Sequence, residues 1–189
     1  MTRLLTVLRL FVLALGVHAS NGAGAANLAN DQRLNLLFDA LKNAQSERDG
    51  TAIENQIVRI WLDSGDAKTN LQMEWAIEAM DNRSYDLALD YLNAVVAAKP
   101  DYMEAWNKRA TLFYMMGRYQ ESLRDIAETL AREPRHFGAL AGRGMVQLQL
   151  GNEEAALEAF RQALAVDPQL TNIELAVRSL EIRLKQRRI

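Results

Sequence analysis

A repeat at a fixed interval of 34 residues constrains this sequence more than any other feature. All three prolines of the chain keep this interval, at Pro100, Pro134 and Pro168, and so do Gly117 and Gly151. Small and apolar residues recur with them, at Ala105 and Ala139, at Leu89, Leu123 and Leu157, at Leu92, Ile126 and Phe160, and at Ala88, Ser122 and Ala156. A sequence period of about 20 to 50 residues indicates structural units that stack on one another. The sequence therefore predicts a stacked repeat architecture.

The unit over residues 103–134 carries a specific set of residue types. It has aromatic and small residues in its first half, glycine and tyrosine at its centre, small and large residues in its second half, and a terminal proline: Trp106, Ala110, Phe113, Gly117, Tyr119, Ser122, Ile126 and Pro134. The unit over residues 137–168 has comparable residues at Leu140, Gly144, Gly151, Ala156, Phe160 and Ala163. Both units resemble the tetratricopeptide repeat (TPR), a pair of antiparallel helices about 34 residues long. The unit over residues 69–100 resembles it less closely, because Gln72 stands where an aromatic residue is usual.

The repeated residue types suit helices that pack closely. Small residues at Ala110 and Gly144 allow the two helices of a hairpin to approach, while Trp106 is predicted to fill the space between neighbouring hairpins. Gly117 and Gly151 suit helix ends that need a left-handed conformation. Because one hairpin cannot bury its own apolar face, the hairpins are expected to stack.

The segments on either side of the repeats are predicted to close the stack. Apolar residues at helical spacing over 31–66 predict a degenerate hairpin that caps its N-terminal end. Residues 169–189 predict a last amphipathic helix that caps the other end. Residues 67–168 between them comprise three repeats, at 69–102, 103–136 and 137–168. The resemblance implies an all-α fold: a right-handed α-solenoid of antiparallel hairpins, the TPR superhelix, with nine helices.

Residues 1–19 are predicted to be a signal peptide outside this fold. Two arginines flank and interrupt an apolar run, which ends in small residues at the spacing that signal peptidase recognises. Cleavage is expected after Ala19, with a second option near Ala25, and residues 20–30 are predicted to be a flexible leader. The apolar run is shorter than the roughly 20 residues of a membrane-spanning helix. No membrane span is therefore expected after cleavage. A signal peptide on a TPR chain resembles small exported bacterial TPR proteins, and this resemblance implies the periplasm as the compartment.

Composition argues against several classes of function. Residues 1–19 contain two of the 22 basic and none of the 24 acidic residues, so their removal leaves a net charge of −4, which does not favour nucleic acid. The chain has no cysteine, and His136 would be the one remaining histidine, so no metal site is predicted. The sequence contains no recognisable catalytic or phosphate-binding motif, and neither enzyme activity nor a cofactor is expected. His136 is interpreted as a surface residue.

TPR stacks curve, and the resemblance implies that their first helices line a concave groove. The residues predicted to contact a partner there are Met73, Ile77, Met80, Asn107, Lys108, Thr111, Tyr114, Met115, Met145 and Leu148. Apolar residues on such an exposed stripe favour binding, and methionine adapts to ligands of different shape. The alternative for each methionine is that it packs against a neighbouring repeat.

One known TPR activity, the carboxylate clamp of chaperone cofactors, is not predicted. That clamp needs basic and amide side chains at defined first-helix positions. The first repeat has Met73 and Ile77 at these positions. The third repeat has Gly138 and Gly142 there. An extended or helical peptide with apolar anchors fits the groove better than a C-terminal carboxylate does.

The predicted function is a non-catalytic scaffold or adaptor of the cell envelope that binds a peptide or protein segment in the groove. The alternative is a structural protein held at an anionic envelope surface by its basic C-terminal helix. The basic residues of that helix are Arg178, Arg183, Lys185, Arg187 and Arg188. Arg109 is predicted to pair with Asp125 of the same hairpin and not with a ligand.

Overall fold

The computed structural model describes residues 18–187, and these residues form an all-α solenoid. Within this range the chain contains nine α-helices and no strand, as the sequence predicts. The helices are α1 (His18–Lys42), α2 (Glu47–Leu62), α3 (Ala67–Asp81), α4 (Tyr85–Ala98), α5 (Met103–Met115), α6 (Tyr119–Arg132), α7 (Phe137–Gln149), α8 (Glu153–Val166) and α9 (Thr171–Arg187). None of these helices is both long and apolar enough to cross a membrane.

Three helical hairpins, α3–α4, α5–α6 and α7–α8, stack in chain order, and α9 packs on α8. The residue between the two helices of each hairpin has a positive φ: 58° at Arg83, 73° at Gly117 and 79° at Gly151. Glycine adopts this conformation without steric cost, which explains its choice in the second and third hairpins. At each turn a backbone N–H also reaches back to the first helix, as in the 2.8 Å bond from Arg118 N to Phe113 O.

Close packing within the hairpins confirms the role predicted for the small residues. A Cβ atom added to Gly144 would lie 2.3 Å from the ring of Phe160, so the two helices approach too closely for any side chain there. In the preceding hairpin the hydroxyl of Ser122 donates a 2.8 Å hydrogen bond to the carbonyl oxygen of Ala110. The small residues therefore set the distance between the helices of each hairpin.

The predicted pairing of Arg109 with Asp125 is also confirmed. The guanidinium donates from Nε to one carboxylate oxygen at 2.7 Å and from Nη2 to the other at 3.0 Å. Its Nη1 donates to Asn93 on α4 at 2.9 Å, so the same side chain joins two successive repeats. In the third repeat Ala159 replaces the acid, and Arg143 instead bonds Gln162.

Trp106 packs against the core between the first and second repeats, as predicted, but it is not fully buried. It is half-buried, and its indole N–H donates a 2.8 Å hydrogen bond to the carbonyl oxygen of Pro100. The guanidinium groups of Arg109 and Arg132 lie 4.9 Å and 5.2 Å from its ring. The residue stands near the start of α5, beside the turn that precedes the helix.

The N-terminal hairpin exists as predicted, but it does not cap the end of the stack. Helices α1 and α2 lie along one edge of the solenoid, across the turns that join successive repeats. The hydroxyl of Tyr102, between the first and second repeats, donates to the carbonyl oxygen of Leu62 at 2.8 Å. Arg135, between the second and third, donates to Asn35 at 2.7 Å. Gln169, after the third, donates to the carbonyl oxygen of Ala44 at 3.1 Å.

Apolar packing explains why the α1–α2 hairpin lies along the edge. The hairpin buries Leu34, Phe38, Leu41, Ile57 and Trp61 in one cluster with Phe137, and Met103, Val166 and Leu170 pack against the cluster. Phe137, Met103, Val166 and Leu170 come from the ends of repeats, where a hairpin stacked on α3 could not reach them. We call this contact, between α1–α2 and the turns around 99–104, 133–137 and 167–170, the edge contact.

The first helix also begins earlier than the sequence predicts. Residues 20–30, interpreted as a flexible leader, lie within α1, which starts at His18. Five alanines between His18 and Asn30 favour a helix, since alanine has the highest helix propensity. The predicted signal peptide lies almost entirely outside the described residues, and its cleavage stays a prediction. At the other end α9 covers α8 through Val177, Leu180 and Leu184, as expected of a capping helix.

Candidate functional site

The first helices of the second and third repeats enclose a cavity of about 330 Å³ on the face predicted to bind. Its walls are mostly apolar, and α6 contributes to its floor. The lining residues are Asn107, Ala110, Thr111, Tyr114 and Met115 of α5, Ser122 and Ile126 of α6, and Gly138, Ala139, Ala141, Gly142, Met145 and Val146 of α7. We call this space the groove cavity.

Missing side chains on α7 create the groove cavity. Gly138 and Gly142 stand at the positions that Glu104 and Lys108 occupy on α5. A Cβ atom added to Gly142 would meet one atom within 4 Å, the Cδ1 of Ile126, at an ordinary contact distance of 3.8 Å. Helices α6 and α7 are therefore not in close contact at Gly142, whereas α7 and α8 are in close contact at Gly144. The space beside Gly142 stays open.

The rim of the groove cavity is formed by flexible and aromatic side chains. Met115 and Met145 are exposed on opposite sides of it, although both are large hydrophobic residues. Tyr114 is half-buried, and its ring is tilted against that of Tyr119 at a centroid distance of 5.9 Å. Methionine repacks easily around different shapes, whereas the paired tyrosines form a firmer wall. The rim can therefore adapt to an apolar group that enters.

Polar groups at the α5 side are held in place by one buried carboxylate. Asn107 donates to the two carboxylate oxygens of Glu104 at 3.2 Å and 3.1 Å, and the Lys108 ammonium lies 3.3 Å from the same group. The hydroxyl of Thr111 donates to the carbonyl oxygen of Asn107 at 3.0 Å. The Asn107 amide is therefore oriented before any partner binds, and its oxygen can accept a hydrogen bond.

Five of the ten predicted groove residues line this one cavity: Asn107, Thr111, Tyr114, Met115 and Met145. Lys108 lies beside it in the ion pair with Glu104. Leu148 packs towards the C-terminal core around Phe160 and α9. Ile77 and Met73 border a separate depression of about 260 Å³ between α2 and α3.

The prediction for two of the methionines is wrong. Met73 and Met80 are buried in the core of the first repeat, and Met73 reaches only the separate depression beside α2, so neither offers an exposed side chain to a partner in the groove. The alternative reading, that a methionine packs between repeats, holds for both. Sequence analysis gave no contact role to Ile126 or Val146, which form the floor. The sequence signal for the cavity was Gly142, where the second repeat has Lys108.

His136, interpreted as a surface residue, is buried in the edge contact. Its Nδ1 accepts a 3.1 Å hydrogen bond from the backbone N–H of Ala139 and so caps α7. The Nε2–H must then donate to Glu104 Oε2, which lies 2.9 Å away. The ring of Trp61 stacks on the imidazole at a centroid distance of 4.1 Å. The periodicity gave no sign of this, because Trp61 lies outside the repeats.

The carboxylate of Glu104 joins the edge contact to the groove. Burial alone would raise its pKa, but the hydrogen bond from His136 and the charge of Lys108 hold the pKa below its usual value. The group therefore stays ionised and anchors His136 on one side and Asn107 on the other.

A second acidic group in the edge contact behaves differently. Glu54 of α2 lies close to Asp167, which follows α8 and is fully buried. Burial, and then the charge of Asp167, raises the pKa of Glu54 to about 7. Burial also raises the pKa of Asp167, whose carboxylate accepts a 3.0 Å hydrogen bond from the backbone N–H of Gln169. Just below about pH 7 this pair therefore retains a proton that ordinary carboxyl groups would have lost.

Comparison with known proteins identifies the repeat. A family model described as tetratricopeptide repeat matches residues 73–128 and 108–170. A TPR repeat-containing protein of Rhizobium etli is 42% identical over 143 residues, which cover 76% of this chain and 70% of that protein.

Two solved structures show the same fold at low sequence identity. The first TPR of Spaghetti (RPAP3), bound to the HSP90 peptide SRMEEVD, superposes with a TM-score of 0.60 at 20% identity, covering 65% of this chain and 96% of that one. The TPR2B domain–pHsp70 complex of yeast Sti1 superposes with a TM-score of 0.57 at 14% identity, covering 62% and 99%.

Proposed function

Because the chain belongs to the tetratricopeptide repeat family, we propose that it is a non-catalytic scaffold that binds a peptide or protein segment in its concave groove. TPR proteins are generally interaction modules, and both solved structures described above hold a peptide or protein partner. The observation that carries the proposal is the groove cavity. It is open to solvent, mostly apolar, and bordered by two exposed methionines.

The shape of the groove cavity favours an apolar anchor on the partner. Its volume of about 330 Å³ lies at the lower end of the roughly 300–1,000 Å³ of ligand sites. One or two apolar side chains of a peptide would fill it, while the oriented Asn107 could accept a hydrogen bond from the peptide backbone. The glycines at 138 and 142 offer no charge to a C-terminal carboxylate. The proposed partner is therefore recognised by an apolar side chain.

We further propose that this scaffold acts in the cell envelope, in the periplasm. The support is the sequence of residues 1–19, with its two arginines, its apolar run and the small residues that follow.

The alternative function, attachment to an anionic surface through α9, has less support. Arg183 and Arg187 lie 3.5 Å and 2.8 Å from the carboxylate of Glu153, and Arg178 lies 2.5 Å from Glu174. These cations already have partners within the protein. Attraction to a surface would have to compete with these ion pairs.

The groove proposal is tested with a peptide selected against the purified protein from a random displayed library. Its dissociation constant is measured by calorimetry with the wild type, with Asn107→Ala/Tyr114→Ala, and with Gly142→Leu, which fills the groove cavity. We expect both variants to weaken binding by about tenfold or more, since central apolar contacts carry most binding energy.

Lys185→Ala on α9 serves as the matched control and should bind like the wild type. Unchanged binding by both groove variants would show that the groove cavity is not the site. Weaker binding by Lys185→Ala alone would favour the surface of α9 instead.

A further inference from the structure

The first repeat leaves a large apolar face uncovered at one end of the stack. Leu71 and Trp75 of α3 are each 43% exposed, and Leu87 of α4 is 48% exposed. The ring of Trp75 is tilted against that of Tyr91 at 5.7 Å, which joins the two helices into one surface. We call this surface the open end. We propose that the open end binds the open end of a second copy of this chain.

The corresponding face of the other repeats is an established contact within the protein. Leu71 occupies the position of Ala105 and Ala139, which are 0% and 1% exposed because the preceding repeat covers them. Trp75 occupies the position of Arg109, which bonds Asn93 of the preceding repeat. No described hairpin stacks on α3, since α1–α2 lies along the edge. The open end is therefore a stacking face without its neighbour.

The residues at the open end differ from those of the later repeats in a way that suits pairing. At the positions of Leu71 and Trp75 the second repeat has Ala105 and Arg109, which meet α4 together with Tyr102, Trp106 and Leu112. The first repeat has leucine and tryptophan there, and because their apolar area is larger, burying them in an interface is more favourable. Tryptophan is also among the residues that most often dominate protein interfaces.

The charges beside the open end specify a second copy as the partner. Lys68, Leu71, Trp75 and Glu78 follow one another at intervals of three and four residues, so they lie along one face of α3. Lys68 and Glu78 are both exposed and equally far from the midpoint between Leu71 and Trp75.

A twofold axis at that midpoint would set two copies of α3 antiparallel. Leu71 would then contact Trp75 of the second copy, and Lys68 would face Glu78 of the second copy on both sides. Such an isologous contact closes as a dimer, the commonest form of protein assembly. The groove cavity lies between α5 and α7, so each dimer would carry two free grooves.

The first test is sedimentation equilibrium of the full chain over a wide range of concentration. The open end presents only a few apolar side chains from two helices, so a dissociation constant in the micromolar range is expected, weaker than for many interfaces of the standard size of about 1,600 Å². Leu71→Ala/Trp75→Arg copies the residues of the second repeat and should therefore fold, which circular dichroism checks. It should weaken the dimer at least about tenfold. The control Leu175→Ala/Ile182→Ala, at exposed apolar residues of α9, should not.

The second test examines the register. Lys68→Glu and Glu78→Lys should each weaken the homodimer, because each places like charges opposite one another. An equal mixture of the two variants should form a heterodimer, since every facing pair is then again of opposite charge. A wild type that stays monomeric at all concentrations, a dimer weakened only by the α9 control, or a mixture that does not associate would each overturn the proposal.

Discussion

The row formed by α5 and α7 carries two different surfaces, the edge contact and the groove cavity. At the start of these helices Glu104, His136 and Phe137 are buried, and the polar atoms of the first two are hydrogen-bonded to each other. Towards the other ends of the same helices Met115 and Met145 are exposed around an open, mostly apolar space. In the edge contact two parts of the chain cover each other's apolar residues. In the groove cavity no described part of the chain covers the apolar residues.

This difference separates residues that stabilise the protein from residues that bind. Removing a group from the edge contact leaves a void or an unpaired polar atom, and both destabilise the folded state. Removing a group from the rim of the groove cavity changes a surface already in contact with water. Removing a well-packed group from the edge contact should therefore lower stability, and truncating a side chain at the rim of the groove cavity should mainly change binding.

The largest effect is expected at Trp61, in the centre of the edge contact. Its ring packs on His136, Phe137 and Phe38 at centroid distances of 4.1, 5.2 and 6.0 Å. Trp61→Ala should cost about 3 to 5 kcal/mol, as large-to-small changes in a core do. Urea denaturation followed by circular dichroism measures this loss.

Trp106→Ala is the matched control, because Trp106 is half-buried and makes its hydrogen bond to the turn before α5. It should cost about 1 to 2 kcal/mol, in proportion to the smaller apolar area that it buries. A Trp61→Ala variant no less stable than the Trp106→Ala variant would show that the α1–α2 hairpin contributes little to the fold.

Two glycines of α7 sharpen the comparison within one helix. Gly144→Ala would bring Cβ within 2.3 Å of the Phe160 ring, so it should cost about 1 to 3 kcal/mol through overpacking. Gly142→Ala meets a single atom at 3.8 Å and should stabilise α7 by up to about 1 kcal/mol, because alanine favours a helix. Thermal denaturation of both variants measures the two signs. Equal destabilisation would contradict the open space assigned to the groove cavity.

The edge contact should also make stability depend on pH through Glu54. Its pKa is raised from 4.5 to about 7, so the folded state binds the proton more tightly than the unfolded state does. The resulting stability is fully present below about pH 4.5 and is lost as pH rises through about 7. Glu54→Gln removes this loss, because glutamine has the same size and no charge.

At pH 8 the Glu54→Gln variant should therefore be more stable than the wild type, and at pH 5 the difference should be much smaller. The side chain is only partly buried, so solvent screening reduces the expected gain to about 1 kcal/mol. Melting temperatures of both proteins from pH 5 to pH 8 measure it. Parallel curves for the two proteins would show that the pKa of Glu54 is not raised in the folded state.

The regular part of the fold could be predicted because each repeat uses the same positions for the same contacts. Arg109 and Asp125 belong to one hairpin, so the resemblance to the repeat indicates their pairing, and it also indicates that the helices approach closely at Gly144. The position of α1–α2 could not be predicted in this way. The stacking of Trp61 on His136 joins a segment without the period to a turn residue whose partners the period does not specify.

The candidate site could be predicted only in part for a related reason. The resemblance gave the helix face, and so it gave Asn107, Thr111 and Tyr114 correctly as cavity residues. Whether a methionine on that face is exposed depends on the neighbouring helices. Met145 is exposed beside the small residues of α7, whereas Met73 is covered within the first repeat.

The most direct test of the account asks whether a bound partner covers the groove cavity. The natural chain has no cysteine, so a single introduced thiol reports on one position. The measurement is the rate of thiol alkylation in Met145→Cys, at the rim of the groove cavity, and in Ile182→Cys, on exposed α9, with and without the selected peptide. The account predicts a slower rate at position 145 and an unchanged rate at position 182 when the peptide is bound. Protection at position 182 alone, or at neither position with the peptide bound, would contradict it.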